Sequence, residues 1–408
     1  MYVACEQVFR PDLRQQPCIV LSNNDGAVVA ANRLAKEAGI KKFEPYFKQK
    51  GLIEQQSVHV FSSNYALYAD LSAKMMATIT AFAPNSHVYS IDECFLDMRH
   101  CNRVETDLKA FGQRVRQTVW KECRLPVCFG AGHTLTLSKM ANRSAKVDRT
   151  LQGVCIIDSE QKRQHYLALQ PVSEVWGIGK KLTKRLQWMG IHTALDLANL
   201  PPEQARRSFN IEVERTVREL NGEACKIWDE CRADKQQIFS TRSVGQRITT
   251  LEELKQALAF HVATVAKKAR AQKSACSMLM AFANTSPFDA VPQSFKETLQ
   301  FDYPTSDTAK LTSTVTSMAE RLYRVGVQYY KIGVGAIGLV SDRQRQIDLF
   351  SSPENPALME ALDALNVKFG RDAVFLAAQG TTQHWQMSRE FLSPQYTTKL
   401  KDLPQILC

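Results

Sequence analysis

Two adjacent acids, Asp92 and Glu93, interrupt an otherwise apolar run, Val88-Tyr-Ser-Ile before them and Cys94-Phe-Leu after. Charge inside an apolar strand is costly unless it is paired or bound to a cation. Hard oxygen ligands suit magnesium. Neighbouring strand residues point to opposite faces, so both carboxylates serve one site only where the strand turns or bulges. A hairpin turn with two solvated acids accounts for the same dipeptide without a metal, and these residues alone leave both readings open.

A second group is basic. Gly177-Ile-Gly179 follows Val175-Trp176 and precedes Lys180, Lys181, Lys184 and Arg185. Small residues let a hairpin backbone approach a phosphate, and helix N-terminal amides bind it. This is a helix-hairpin-helix signature; the alternative is a plain αα-turn with a charged face. Residues 231–280 carry nine Lys or Arg against three acids, among them Arg242, Arg247, Lys267, Lys268 and Arg270. Alternation places Arg242 and its i+2 neighbours on one strand face. Such cations would hold phosphates and carry little sequence information, or else form a solvated helix face. In Gln346-Ile347-Asp348-Leu349-Phe350, the last two side chains could fill an apolar pocket while Gln346 supplies amide hydrogen bonds. The same five residues also fit the amphipathic end of a strand.

The elements that must position these groups alternate at first. Cys18–Ser22 reads as a strand, Asn23–Gly26 as a turn, and Ala27–Gly39 as a short strand running into a helix. Asp70–Phe82 and Val104–Glu122 have helical periodicity, His87–Asp97 is strand-like, and Val127–Gly132 is a glycine-bearing strand. Residues 166 to 230 are mostly helical, and a polar linker follows at about 231 to 240. The next region starts with a strand, then a long basic helix opened by Thr250 and Glu253 at capping-box spacing. After Gln346 the sequence predicts a tail with one helix, Asn355–Phe369.

A length of 408 residues suits about two to four domains. The net charge of +11 favours a polyanionic partner. No apolar run approaches the ~20 residues of a membrane helix, and the N-terminal sequence lacks a signal-peptide pattern, so no membrane partner is expected. Eleven cysteines without CxxC pairs read as reduced thiols in the cytoplasm, with no zinc site.

Ser90-Ile-Asp-Glu-Cys-Phe95 resembles the SIDEAF palm motif of Y-family translesion DNA polymerases. Leu21–Gly26, Pro45–Lys50, Phe61–Asp70, Trp385–Arg389 and Leu392–Thr398 are similar to the bacterial UmuC-type subgroup, the catalytic subunits of DNA polymerase V, and the likeness runs in order through essentially the whole chain. It implies an α+β, multidomain right hand: palm at 1–9 and 67–165, fingers at 10–66, a helical thumb at 166–230, a little finger at 236–340, and a C-terminal tail at 341–408. The implied activity is error-prone translesion synthesis in SOS-type repair, adding dNTPs to primer-template DNA by a two-magnesium mechanism. Selectivity would be low, because the fingers segment is small, and nothing resembles a proofreading exonuclease.

The resemblance also implies site residues. Asp92 and Glu93 would bind Mg2+, and Tyr2 would be the steric gate against a ribose 2′-hydroxyl. Glu6 matches a structural acid nearby. Lys36, Tyr68 and Lys146 match groups near the incoming triphosphate, and Lys139 shares a helix face with Lys146 at seven-residue spacing. Gly177, Gly179, Lys180, Lys181, Arg242, Arg247, Lys267 and Lys268 would hold DNA. Gln346–Phe350 resembles the peptide that binds the bacterial sliding clamp. A UmuD-type dimer and a RecA filament are further partners implied by the family.

Two departures accompany the likeness. Leu135 stands where the family often has a lysine. The family also opens with a strand carrying a metal-binding aspartate ahead of the aromatic gate, whereas here Met1-Tyr2 already holds that position. The expectation is therefore a chain that binds primer-template but extends it barely. The alternative function is a catalytically impaired DNA- and clamp-binding protein.

Overall fold

The computed structural model describes residues 1–99, 101, 104–228, 234–342, 354–370 and 372–403. The chain begins with helix α1 (Tyr2–Phe9) and enters a three-stranded sheet of β1 (Cys18–Leu21), β2 (Val28–Ala31) and β3 (His59–Ser62), order β2-β1-β3. The predicted strand at Cys18 is this central strand. Its side chains are all buried because alternate residues feed two cores. Cys18 and Val20 join Val3, Cys5 and Phe61, whereas Ile19 and Leu21 join Val28, Ala35, Ile40 and Ile53. An apolar run without alternation is what a strand covered on both faces requires. Helices α2 (Arg33–Glu37) and α3 (Tyr46–Gln55) cover one of those faces.

Helix α4 (Tyr65–Thr80) starts five residues ahead of the predicted Asp70, because the Asn64 side chain caps it by accepting from Leu67 N. A hairpin of β4 (Asn85–Ser90) and β5 (Glu93–Asp97) follows. Helix α5 (Leu108–Cys123) starts later than the predicted Val104, since the Asp107 carboxylate accepts from Lys109 N and Ala110 N and fixes the first turn there. Strand β6 (Phe129–Gly132), helix α6 (Leu135–Val147) and β7 (Val154–Ile157) complete the unit, with β6 and β7 parallel. The β4–β5 and β6–β7 pairs are separate two-stranded sheets. Leu71, Met75, Met76, Phe111, Val115 and Val119 from α4 and α5 fill the core beside them. Gly130 is required where β6 meets α6: an added Cβ would stand 2.0 Å from Asn142 N.

Helices α7 (Glu160–Ala168), α8 (Lys180–Trp188), α9 (Ala194–Ala198), α10 (Pro202–Ser208) and α11 (Ile211–Leu220) form the expected helical unit. Its core is shared with α6 through Leu137, Met140 and Ala141.

The last sheet has β8 (Gln237–Ile248), β9 (Ser274–Asn284), β10 (Ser294–Thr305) and β11 (Tyr329–Ser341), order β10-β9-β11-β8, antiparallel throughout. Helices α12 (Leu251–Ala271) and α13 (Thr308–Leu322) cover one face. The capping box is formed, with Thr250 Oγ1 accepting from Glu253 N at 3.2 Å. The predicted tail helix is α14 (Pro356–Lys368), and it is docked: Arg270 pairs with Asp363 at 2.8 Å, and Thr308 N donates to Met359 Sδ. Further on, Trp385 is fully enclosed in the core of this four-stranded unit. Among the described residues no helix is long and apolar enough to cross a membrane.

His261 on α12 gives this unit a pH dependence. Its Nδ1 lies 2.8 Å from Ser240 Oγ, and burial, then the charge of Arg242, push its pKa down to about 3 from 6.5. The unfolded chain therefore takes up the proton first. The stabilisation is present above about pH 6.5 and is lost as pH falls toward 3. We expect a loss of about 1 kcal/mol for each pH unit below about 6, and His261→Gln should flatten that slope in urea melts. Equal slopes in both proteins would contradict this assignment.

Candidate active site

The register of β4 against β5 shifts between Val88 and Ser90, and Ile91-Asp92 forms the turn. That irregularity removes the strand-alternation problem, because Asp92 belongs to the turn and Glu93 to the first position of β5. Asp92 is exposed, and Ser90 Oγ donates to its Oδ1 at 2.9 Å. Glu93 is half-buried and ion-paired with Lys139 of α6. The Lys139 ammonium also lies 5.2 Å from the Tyr89 ring centroid and 5.7 Å from that of Trp176. Lys139 thus fixes the Glu93 carboxylate, and Lys146 is the exposed cation further along this helix.

Lys146 and Lys36 act electrostatically on a lysine that the sequence reading did not single out, Lys42. Burial pushes the Lys42 ammonium pKa down; Lys36 and Lys146 push it the same way, and Asp92 pulls it up. Lys36, Lys146 and Asp92 are thus electrostatically coupled to Lys42. Lysines coupled to an exposed carboxylate suit a polyanion accompanied by a cation. The signal for Lys42 was the short spacing of Lys36, Lys41 and Lys42.

Tyr2 stacks on Tyr68, with centroids 4.6 Å apart and planes at 17°, and meets Tyr65 edge-on at 6.1 Å. Tyr68 itself is fully buried, and its hydroxyl donates to Glu6 Oε1. It supports the Tyr2 ring from beneath and presents no surface to a triphosphate, unlike the expectation for it; Tyr65 is the exposed aromatic. Glu6 is buried too, which raises its pKa, in keeping with a structural acid.

The donor set has the chemistry of a magnesium site. Asp92 and Glu93 are hard oxygen ligands, although among the described residues no group of three or more His, Cys, Asp or Glu gathers to hold a metal. Magnesium is commonly held by one or two carboxylates, with water and substrate phosphates completing its shell. Two carboxylates next to a lysine cluster fit that arrangement.

Gly177 has φ +90°, a left-handed conformation that favours glycine, and Gly179 is the N-cap of α8. An added Cβ on Gly179 meets nothing within 4 Å. Lys180 and Lys181 are exposed on the first turn. The preceding Trp176 donates from Nε1 to Tyr89 OH at 3.1 Å, so this loop is tied to the carboxylate hairpin.

The cations of residues 231–280 divide differently from expectation. Arg242 is opposite Ile332, which faces the helices, and its guanidinium lies 6.0 Å from the Phe260 ring of α12. Arg247 is paired with Asp289 at 2.8 Å and lies over Tyr330. Lys267 and Lys268 line a cavity of about 630 Å³ with β8 and with Leu362, Asp363, Asn366 and Phe375. Strand alternation selects the open face: Phe239, Thr241, Phe282, Gly333 and Gly335, with Lys296 and Lys331 as its cations. Those two lysines were missed, although alternation within β10 and β11 contains the signal. The peptide Gln346-Ile347-Asp348-Leu349-Phe350 lies outside the described residues.

Comparison with known proteins agrees along the chain. Residues 1–143 match the impB/mucB/samB family, residues 235–349 the C-terminal domain of that family, and residues 356–406 a domain of unknown function, DUF4113. Protein UmuC of Salmonella typhimurium is 40% identical, covering 99% of this chain and 97% of its own. Protein MucB of Escherichia coli is 38% identical, again over 99% of this chain and 97% of its own. A Y-family DNA polymerase chimera of Dbh and Dpo4 superposes with a TM-score of 0.63 at 18% identity, covering 83% of this chain and 96% of its own, a likeness of fold. The chain belongs to the impB/mucB/samB family, the UmuC-type branch of the Y-family DNA polymerases.

Proposed function

We propose that the tip of the β4–β5 hairpin, with Lys36, Lys42 and Lys146, is the nucleotidyl-transfer site of this error-prone translesion polymerase. In this reading 1–9 and 67–165 are the palm, 10–66 the fingers, 166–230 the thumb and 236–340 the little finger. The observation that carries it is the exposed Asp92 at the hairpin turn, next to a Glu93 held by its ion pair with Lys139; the coupling of Lys42 to Lys36, Lys146 and Asp92 supports it. Asp92 and Glu93 would hold magnesium, which when bound neutralises the triphosphate and activates the primer 3′-oxygen. The lysines hold the phosphates as point charges. The Tyr2 ring, fixed by Tyr68 behind it, closes the sugar side against a 2′-hydroxyl. Gly177–Lys181 and the open sheet face with Lys296 and Lys331 grip phosphates of the primer-template without reading bases.

Three substitutions test the site. Lys42→Ala and Lys146→Ala should each raise the KM for dNTP about tenfold, since a charge-assisted contact is worth roughly 1.5–3 kcal/mol, while primer-template affinity stays unchanged. An unaltered KM in both would remove the lysines from the triphosphate site. Tyr2→Ala should lower the dNTP-over-rNTP preference, and an unchanged ratio would make Tyr2 a core aromatic only.

A further inference from the structure

We infer that residues 385–396, in the module that matches a domain of unknown function, form an intramolecular clasp. It fixes the four-stranded unit against the three-stranded unit and the hairpin-bearing unit. The clasp starts inside the four-stranded unit, where Trp385 is buried edge-on to Phe260 and its carbonyl accepts from Gly245 N at 3.2 Å. It then crosses to the three-stranded unit. Ser388 N donates to Asn24 Oδ1 at 3.0 Å, Glu390 N to Asp25 Oδ2 at 2.8 Å, and Phe391 N to Ser62 Oγ at 3.0 Å. Ser62 N returns a bond to Phe391 O at 2.9 Å. It ends on the hairpin-bearing unit, where Asn64 Nδ2 donates to Ser393 Oγ at 3.0 Å and Tyr396 stacks on Phe9 at 4.5 Å.

The receiving loop is built for this contact. Asn24 and Asp25 both have positive φ, +57° and +48°, a conformation that costs a non-glycine residue energy unless neighbours hold it. Both side chains are spent on clasp amides, and Asn24 Nδ2 also donates to Ser243 O of β8 at 2.6 Å. One loop thus bonds the clasp and the sheet that the clasp leaves. Gly245 completes the fit, because an added Cβ would stand 2.2 Å from Gln386 O and 3.0 Å from Ser388 N. Phe47 and Lys48 touching Phe288 are the remaining side of the same joint. The joint stands on these contacts alone, independently of the proposed chemistry.

Hydrogen exchange on the full chain tests it. The amides of Ser388, Glu390 and Phe391 should be protected in the unsubstituted protein. Gly245→Ala should cut protection across 386–393 by about tenfold or more, as loss of charge-assisted and backbone bonds implies. Amides of β9 and β11 should keep theirs, and X-ray scattering should show a larger radius of gyration. A second variant, Asp25→Ala with Ser62→Ala, acts from the other unit and should give the same loss. It decides the matter if Gly245→Ala unfolds the sheet. Unprotected clasp amides in the unsubstituted chain, or protection unchanged in the double variant, would overturn the clasp.

Discussion

In a chain carrying the family's N-terminal metal-binding aspartate, Asp92→Asn should lower single-turnover nucleotide incorporation by ~10²–10³-fold, the scale on which removing one preorganised charge at a reacting centre acts. The substitution keeps shape and removes charge. Asp92 is exposed at a hairpin turn with Ser90 as its hydrogen-bond partner, so folding stability should change by no more than about 0.5 kcal/mol. Primer-template affinity should also hold, because the surfaces proposed to grip DNA lie on α8 and on the four-stranded sheet. The measurement is incorporation by the substituted and unsubstituted proteins at saturating DNA, with affinity measured separately. Equal incorporation rates would show that Asp92 is merely a solvated turn acid. Glu93→Gln should act in the same direction, and there the ion pair with Lys139 is lost as well.

Glu219→Ala should destabilise the junction between α6 and the helical unit by about 3–5 kcal/mol. Glu219 is fully buried. Its Oε2 accepts from Thr136 N at 2.8 Å and Thr136 Oγ1 at 2.7 Å, and its Oε1 from Cys225 N at 3.2 Å and Lys226 N at 2.9 Å. Its main-chain carbonyl accepts from Thr134 Oγ1, the N-cap of α6. A carboxylate at a helix N-terminus is favoured by the helix dipole and by the unpaired amides of the first turn. Alanine leaves two Thr136 donors unpaired in the buried interior, each costing its desolvation, and two half-buried amides, of Cys225 and Lys226, without their acceptor. Glu219→Gln retains the size but turns an amide group toward some of those donors, so it should cost less than alanine and more than nothing. Urea melts followed by exchange in α6 and α11 report the loss, and a change under about 1 kcal/mol for Glu219→Ala would refute this role.

What the sequence determined by itself was local. Cys18–Ser22 is legible as a strand, Thr250 and Glu253 as a capping box, and Asp92-Glu93 as acids that a strand carries on one side only by turning or bulging. Each of these depends on residues a few positions apart, where backbone geometry leaves few choices. Gly177 and Gly179 were legible for the same reason, since a left-handed turn ahead of a basic helix is written in adjacent residues.

The tertiary structure decided which partner each polar group meets. Tyr68 and Glu6 stand 62 positions apart and satisfy each other in the core. Lys42 is electrostatically coupled to Lys146 and Asp92 of a different unit, and Arg242 turns toward the helices where a strand pattern alone gives two equal faces. Glu219 looks like any surface acid in Arg218-Glu-Leu-Asn221 until Thr136 and Lys226 close over it. The stretch after residue 380 has little secondary structure to predict, yet its amides find acceptors more than 300 positions away. Periodicity reports which side of an element is apolar. It does not report which other element arrives there, because that depends on how several buried faces are satisfied at once.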